Sequence, residues 1–142
     1  MEAYKFSLEK VLEWRTDKEK DKARELAIIQ RRLHEEEEKL EGLLNRLSQA
    51  KREIQSYKNI QKLQQQRLYI DQIEEEIERK KIEIEEITKR FDKSREELLA
   101  AQKDRKVMEK LKEKDFQSYK TQIQKKEQKQ LDEAAILRYR QA

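Results

Sequence analysis

Few residues in this chain have the types and spacing that chemistry needs. One histidine, His34, stands beside the acidic run Glu35–Glu38. An imidazole next to carboxylates is a fragment of a metal site, but no second His and no Cys joins it, so His34 reads as a solvated side chain. Glu74–Glu76 and Glu96–Glu97 could supply general acids. A carboxylate does that work near neutral pH only where a cleft raises its pKa, and a long helical pair offers none. The single glycine, Gly42, excludes a Walker A loop, a GxGxxG turn and similar phosphate cradles. Without cysteine there is no thiolate nucleophile and no disulfide. The sequence therefore predicts no enzyme, no metal and no cofactor.

What remains is charge and aromatic surface. Lys and Arg number 35 against 31 Asp and Glu, and charged residues make up 46 % of the chain. Residues 110–142 hold nine basic and five acidic side chains, net +4, while the remainder is balanced. Six of the nine aromatics lie towards the two termini: Tyr4, Phe6, Trp14, Phe116, Tyr119 and Tyr139. A basic and aromatic helical tip reads as a binding end, the bland alternative being a frayed, solvated terminus. Nucleic acid is not the expected partner, because Glu113, Asp115, Glu127, Asp132 and Glu133 dilute the dense basic block that a basic-zipper reader carries. The same dilution argues against an amphipathic membrane-surface helix. No run approaches the roughly 18–20 apolar residues needed to span a bilayer, and the N-terminus lacks a signal-like apolar stretch. A soluble, cytoplasmic protein is expected.

The elements that carry these residues follow from period. Alternating steps of three and four from Leu26 give Leu26, Ile29, Leu33, Glu36, Leu40, Leu43, Leu47, Ala50, Ile54 and Tyr57, with only Glu36 off pattern. A second seam runs Ile70, Ile73, Ile77, Lys80, Ile84, Ile87, Phe91, Ser94, Leu98, Ala101, Arg105 and Met108. Such a 3.5-residue repeat holds one stripe against a partner helix, the mark of a coiled coil. Between the seams lies a Gln-rich stretch with Ser56 and Asn59, residues that favour caps and turns. The fold class predicted is all-α: a long antiparallel two-helix coiled coil, an α-hairpin, forming one domain over residues 1–142. Helix one spans about 5–56, the turn about 56–59 and helix two about 60–140. The alternative is one continuous helix pairing with a second copy.

A reversal near residue 58 makes facing residues add to about 116 in number. Glu36 then faces Lys80, so the two seam defects meet, and Leu8 falls opposite Met108. A buried ion pair adds little net stability but can fix register. At 1.5 Å rise per residue the first helix reaches about 75 Å and the second about 120 Å, which predicts a C-terminal overhang of about thirty residues. Residues 13–25 put Arg15, Lys18 or Glu19, and Lys22 at seam positions, where loose packing is expected. Gly42 reads as a tolerated surface glycine, costing about 1 kcal/mol relative to Ala.

The opening Phe6-Ser7-Leu8-Glu9-Lys10-Val11-Leu12-Glu13-Trp14-Arg15 resembles the start of the flagellar export protein family FliJ. Glu25-Leu26-Ala27, the stretch QQRLYIDQIEEEI (residues 65–77), Lys110-Leu111-Lys112-Glu113 and Leu131-Asp132-Glu133-Ala134-Ala135 with Arg138 beyond are also similar to that family, in order and over essentially the full length. The resemblance implies a non-enzymatic component of the flagellar type III export apparatus, an antiparallel coiled coil similar to the central stalk of rotary ATP synthases. It further implies insertion into the centre of the hexameric export ATPase, promotion of ring assembly, contact with the cytoplasmic domain of the membrane export-gate protein, and escort of export chaperones. Such a component is expected as a monomer in isolation, without membrane insertion, held at the inner face of the membrane through the apparatus.

Placed on this sequence, the resemblance makes the terminal end the part lodged in the ATPase ring. The candidates there are Tyr4, Phe6, Leu8, Trp14, Arg15, Phe116, Tyr119, Lys125, Lys126, Leu131 and Arg138. The family's gate surface lies near the turn, with an aromatic followed four residues later by an aliphatic, which Tyr69 and Ile73 match. Glu76 and Lys80 continue that stripe, although the family more often has a small residue and a polar or His one there. Lys39, Leu43, Arg46 and Ala50 are the matching positions on the first helix. Ile73 lies in the seam and also reads as core; Tyr69 lies one position off it and reads as the exposed contact. The competing class is a generic homo-oligomeric coiled-coil scaffold or adaptor, including an injectisome stalk homologue.

Overall fold

A computed structural model of the chain describes residues 3–141. Two long helices pack against each other, α1 (Glu9–Ile54, 46 residues) and α2 (Ile60–Gln141, 82 residues). Their ends follow from local chemistry. Lys51 and Arg52 occupy the last turn of α1, where cations meet the negative end of the helix dipole. Ser56 closes that end, its hydroxyl donating to the Glu53 carbonyl (2.7 Å) and its N–H to the same oxygen (3.1 Å). Asn59 opens α2: its Oδ1 accepts from the Gln61 N–H at 2.9 Å while its carbonyl accepts from Leu63 at 3.0 Å, the geometry of an N-cap. The reversal thus sits where Ser56 and Asn59 signalled it, and among the described residues no positive φ and no cis peptide is used.

The first helix begins later than the expected residue 5. Residues 3–8 are not helical, and Glu9 N–H bonds the Phe6 carbonyl (3.2 Å) in a turn that precedes α1. Side-chain bonds from Tyr4 to α2, described below, hold this segment out of helical conformation. Leu8 falls in the turn and is exposed; Leu12 is the first buried seam residue of α1.

Two compact units make up the chain: Asp21–Leu98, here the turn unit, and Met1–Lys20 with Leu99–Ala142, here the terminal unit. In the turn unit the core is Ala50, Ile70, Ile73, Ile77 and Ile87, with Glu36 and Ser94 also buried. Ile73, only 1 % exposed, is its most enclosed large side chain. Burying an isoleucine fully is worth about 1.5–3 kcal/mol, so this seam supplies most of the unit's stability. Gly42 is exposed, with nothing within 4 Å of where a Cβ would stand.

Glu36 and Lys80 meet as the seam register requires, Nζ to Oε2 at 2.6 Å. Lys39 closes on the other Glu36 oxygen (3.2 Å), and Glu83 shares Lys80 (3.2 Å). These bonds from Lys80 and then Lys39 hold the Glu36 carboxyl below its ordinary pKa, and bonds to Glu36 and Glu83 raise that of Lys80. Each partner stabilises the charged form of the other, which offsets the desolvation both suffer.

In the terminal unit the buried apolar residues are Leu12, Ala101 and Met108, and charges fill the positions between them. Cross-helix pairs occupy the positions where loose packing is expected. Arg15 Nη1 donates to the Asp104 carbonyl (3.0 Å), Arg105 pairs with Glu19 across the helices and with Glu109 on its own helix (2.7 Å), and Lys112 pairs with Glu9 (2.9 Å). Lys22, at the edge of the turn unit, pairs with Glu97 at 3.1 Å. Side chains on a helix lean towards its N-terminus. In an antiparallel pair that lean carries Arg15 and Lys22 onto residues three beyond those directly opposite.

Candidate functional site

Two surfaces carry the candidate residues, one in each unit. In the turn unit Tyr69 is 39 % exposed, and its ring lies against α1. Arg46 Nη2 donates to the Tyr69 hydroxyl at 3.3 Å, and the guanidinium carbon stands 5.9 Å from the ring centroid. This is a cation–π contact backed by a hydrogen bond. It draws Arg46, a first-helix position singled out by the sequence, to Tyr69. Glu76 and Lys39 are exposed, whereas Leu43 is half-buried. Ile73 and Lys80 belong to the seam and leave a partner no free face while the helices are paired: Ile73 is core, and Lys80 is held by Glu36 and Glu83. Ala50 is likewise buried. Of the proposed stripe, Tyr69, Glu76, Lys39 and Arg46 remain as surface.

In the terminal unit three expected binding residues have found one another. The Tyr4 ring stands 5.0 Å from Phe116, edge-on at 66°, and 5.2 Å from Tyr119; Phe116 and Tyr119 are 6.4 Å apart and stacked at 23°. Lys120 Nζ sits 4.7 Å from the Phe116 centroid. The Tyr4 hydroxyl lies 2.9 Å from Asp115 Oδ2 and 3.3 Å from the Lys112 carbonyl, one proton shared between two acceptors. Partial burial, then the Asp115 carboxylate, raise the Tyr4 pKa and keep the phenol protonated. Phe6 is half-buried nearby in sequence.

This cluster shortens the overhang. Lys112, Phe116, Tyr119 and Ile123 are all partly buried, at steps of four, three and four, so the covered stripe continues past Met108 with one extra residue at its first step. Only residues 124–141 are exposed throughout. Lys125, Lys126, Leu131 and Arg138 all lie on that segment, together with Tyr139, 85 % exposed. Trp14 is 61 % exposed on α1, with Lys18 Nζ 5.3 Å from its ring, and Arg15 is committed to Asp104. The sequence signalled the aromatics by their concentration, but not that Tyr4 joins Phe116 and Tyr119, which depends on residues 3–8 leaving the helix.

His34 Nε2 lies 3.0 Å from Glu38 Oε1 on an exposed face one turn apart. Among the described residues no group of three or more His, Cys, Asp or Glu is placed to hold a metal ion. No described helix is long and apolar enough to cross a membrane.

Compared with known protein families, residues 4–142 match the family model described as Flagellar FliJ protein. The chain belongs to the FliJ family. Comparison with curated proteins and with solved structures found no match. Membership makes this a flagellar-export-associated protein from a family of non-catalytic export components. The all-α pair of helices is the architecture that the resemblance implied. The match begins at Tyr4 and runs through the exposed 124–141 segment, so both candidate surfaces lie within the family's extent.

Proposed function

We propose that this protein is the stalk-like coiled coil of the flagellar export apparatus, entering the centre of the hexameric export ATPase with its terminal unit and promoting ring assembly. In this reading Tyr69 and Arg46 on the turn unit meet the cytoplasmic domain of the export-gate protein, and unloaded export chaperones are escorted on the same molecule. The protein acts as a monomer, without cofactor, and reaches the inner face of the membrane only through the apparatus. One observation carries the assignment of ends: the stretch 124–141 is net-basic and semi-apolar, and every residue of it is exposed. Leu131, Ile136, Leu137 and Tyr139 stand exposed around this stretch, apolar side chains that a partner enclosing the helix can bury.

Removing residues 124–142 tests this. Stimulation of the export ATPase is expected to disappear, while circular dichroism keeps the helicity of the remaining residues. Undiminished stimulation would contradict the assignment. Tyr69→Ala is expected to weaken gate binding with a stability change below about 1 kcal/mol, since Tyr69 is largely a surface residue. A larger loss of stability would make it a packing residue instead.

A further inference from the structure

The Phe116–Tyr119 face lies in the unit proposed to enter the ATPase, yet it is already occupied. Tyr4 covers it edge-on, at 5.0 and 5.2 Å between ring centroids. The segment that carries Tyr4 is not helical: its backbone bonds lie where it joins α1, Glu9 N–H on the Phe6 carbonyl and Leu12 N–H on the Leu8 carbonyl. Its hold on α2 comes from side chains. The Tyr4 hydroxyl shares a proton between Asp115 and the Lys112 carbonyl, and Glu9 pairs with Lys112 where the segment joins α1. Ala3, Tyr4 and Lys5 also line one groove with Asp115, Ser118 and Tyr119.

We propose that residues 3–8 form a latch, with Tyr4 as its catch, that occupies the Phe116–Tyr119 face until the protein engages its ATPase partner. The inference rests on the functional reading above and adds a regulatory step to it. Three physical points support it. A segment whose backbone bonds are confined to its junction with α1 has little to lose on moving, apart from what Tyr4 gains at α2. The bonds it makes are few, specific and partly exposed, so they open at a cost well below that of global unfolding. The face uncovered is aromatic and flanked by Lys120, the kind of side-chain set that interfaces favour.

Two readouts on Tyr4→Ala and Tyr4→Phe decide it. The first needs no partner: hydrogen exchange at amides 110–123, with a hydrophobic dye as probe of the uncovered face. Tyr4→Ala is expected to exchange about fivefold faster there, with Tyr4→Phe between it and the parent because it keeps the ring and loses the shared proton. The second is affinity for the isolated hexameric export ATPase, expected to rise about fivefold in Tyr4→Ala because the latch no longer competes. Exchange and dye binding unchanged in Tyr4→Ala would overturn the latch, as would an affinity that stays level or falls, the latter making Tyr4 a direct contact. If the parent chain itself fails to bind the ATPase, the functional reading falls, and the exchange and dye results still decide whether Tyr4 is a catch.

Discussion

The turn unit and the terminal unit use the same antiparallel helix pairing with opposite chemistry. Between Asp21 and Leu98 the seam is mostly Ile, Leu and Ala, broken by buried Ser94 and one ion pair. In the terminal unit Leu12, Ala101 and Met108 are separated by Arg15, Glu19 and Arg105, each satisfied across the pair. Apolar burial is proportional to area and indifferent to salt, whereas half-exposed ion pairs contribute little net stability and are screened. One unit is therefore built to persist. The other holds its register through pairs that open at lower cost, which suits the end proposed to enter the ATPase.

The largest effect expected is Ile73→Ala, which should cost the turn unit about 2–4 kcal/mol through lost transfer energy and the cavity left behind. Denaturant melts followed by exchange at residues 26–54 measure it. A loss below 1 kcal/mol would return Ile73 to the surface stripe. Next comes acidification. The Glu36 carboxyl is held below its ordinary 4.5, so its contribution is complete above pH 4.5 and is lost as pH falls through the lowered folded value. Lys80 is raised from 10.5, so its contribution is complete below pH 10.5 and is lost as pH rises through the raised value. Glu36→Gln should flatten the acid limb of a melting-temperature profile; an unchanged limb would show that the pair carries no linkage.

The fold was largely legible because apolar period survives single defects. Glu36 and Lys80 each broke a seam, and their meeting across a reversal placed at Ser56–Asn59 agreed with the antiparallel direction and register. Asn59 announced the start of α2 through an Asx side chain that the backbone needs there. The terminal unit was harder to read. Arg15 and Glu19 looked like gaps, since sequence does not show that the Asp104 carbonyl and Arg105 stand across from them. The step of four from Lys112 to Phe116 shifted the frame, so Phe116, Tyr119 and Ile123 looked unpatterned when they continue the covered stripe. The Tyr4 latch left no local signal, because Tyr4 meets its partners across more than a hundred residues of chain.

Smaller effects sharpen the contrast. Arg105→Ala should cost about 0.5–1 kcal/mol, because its pairs are only partly shielded from water. The change should appear as faster exchange at residues 9–20 and 99–112, and raised salt should mimic it there while leaving residues 26–54 protected. Equal salt sensitivity in both units would break the comparison. Gly42→Ala should add about 0.5–1 kcal/mol of stability, since helix propensity improves and the Cβ meets open space.

Photocrosslinking from the two ends of the molecule tests the central claim most directly. A photoreactive side chain at Leu131, in assembled export apparatus, is expected to capture the export ATPase, and one at Tyr69 to capture the cytoplasmic domain of the export gate. Capture of the ATPase from position 69 with none from position 131 would contradict the account.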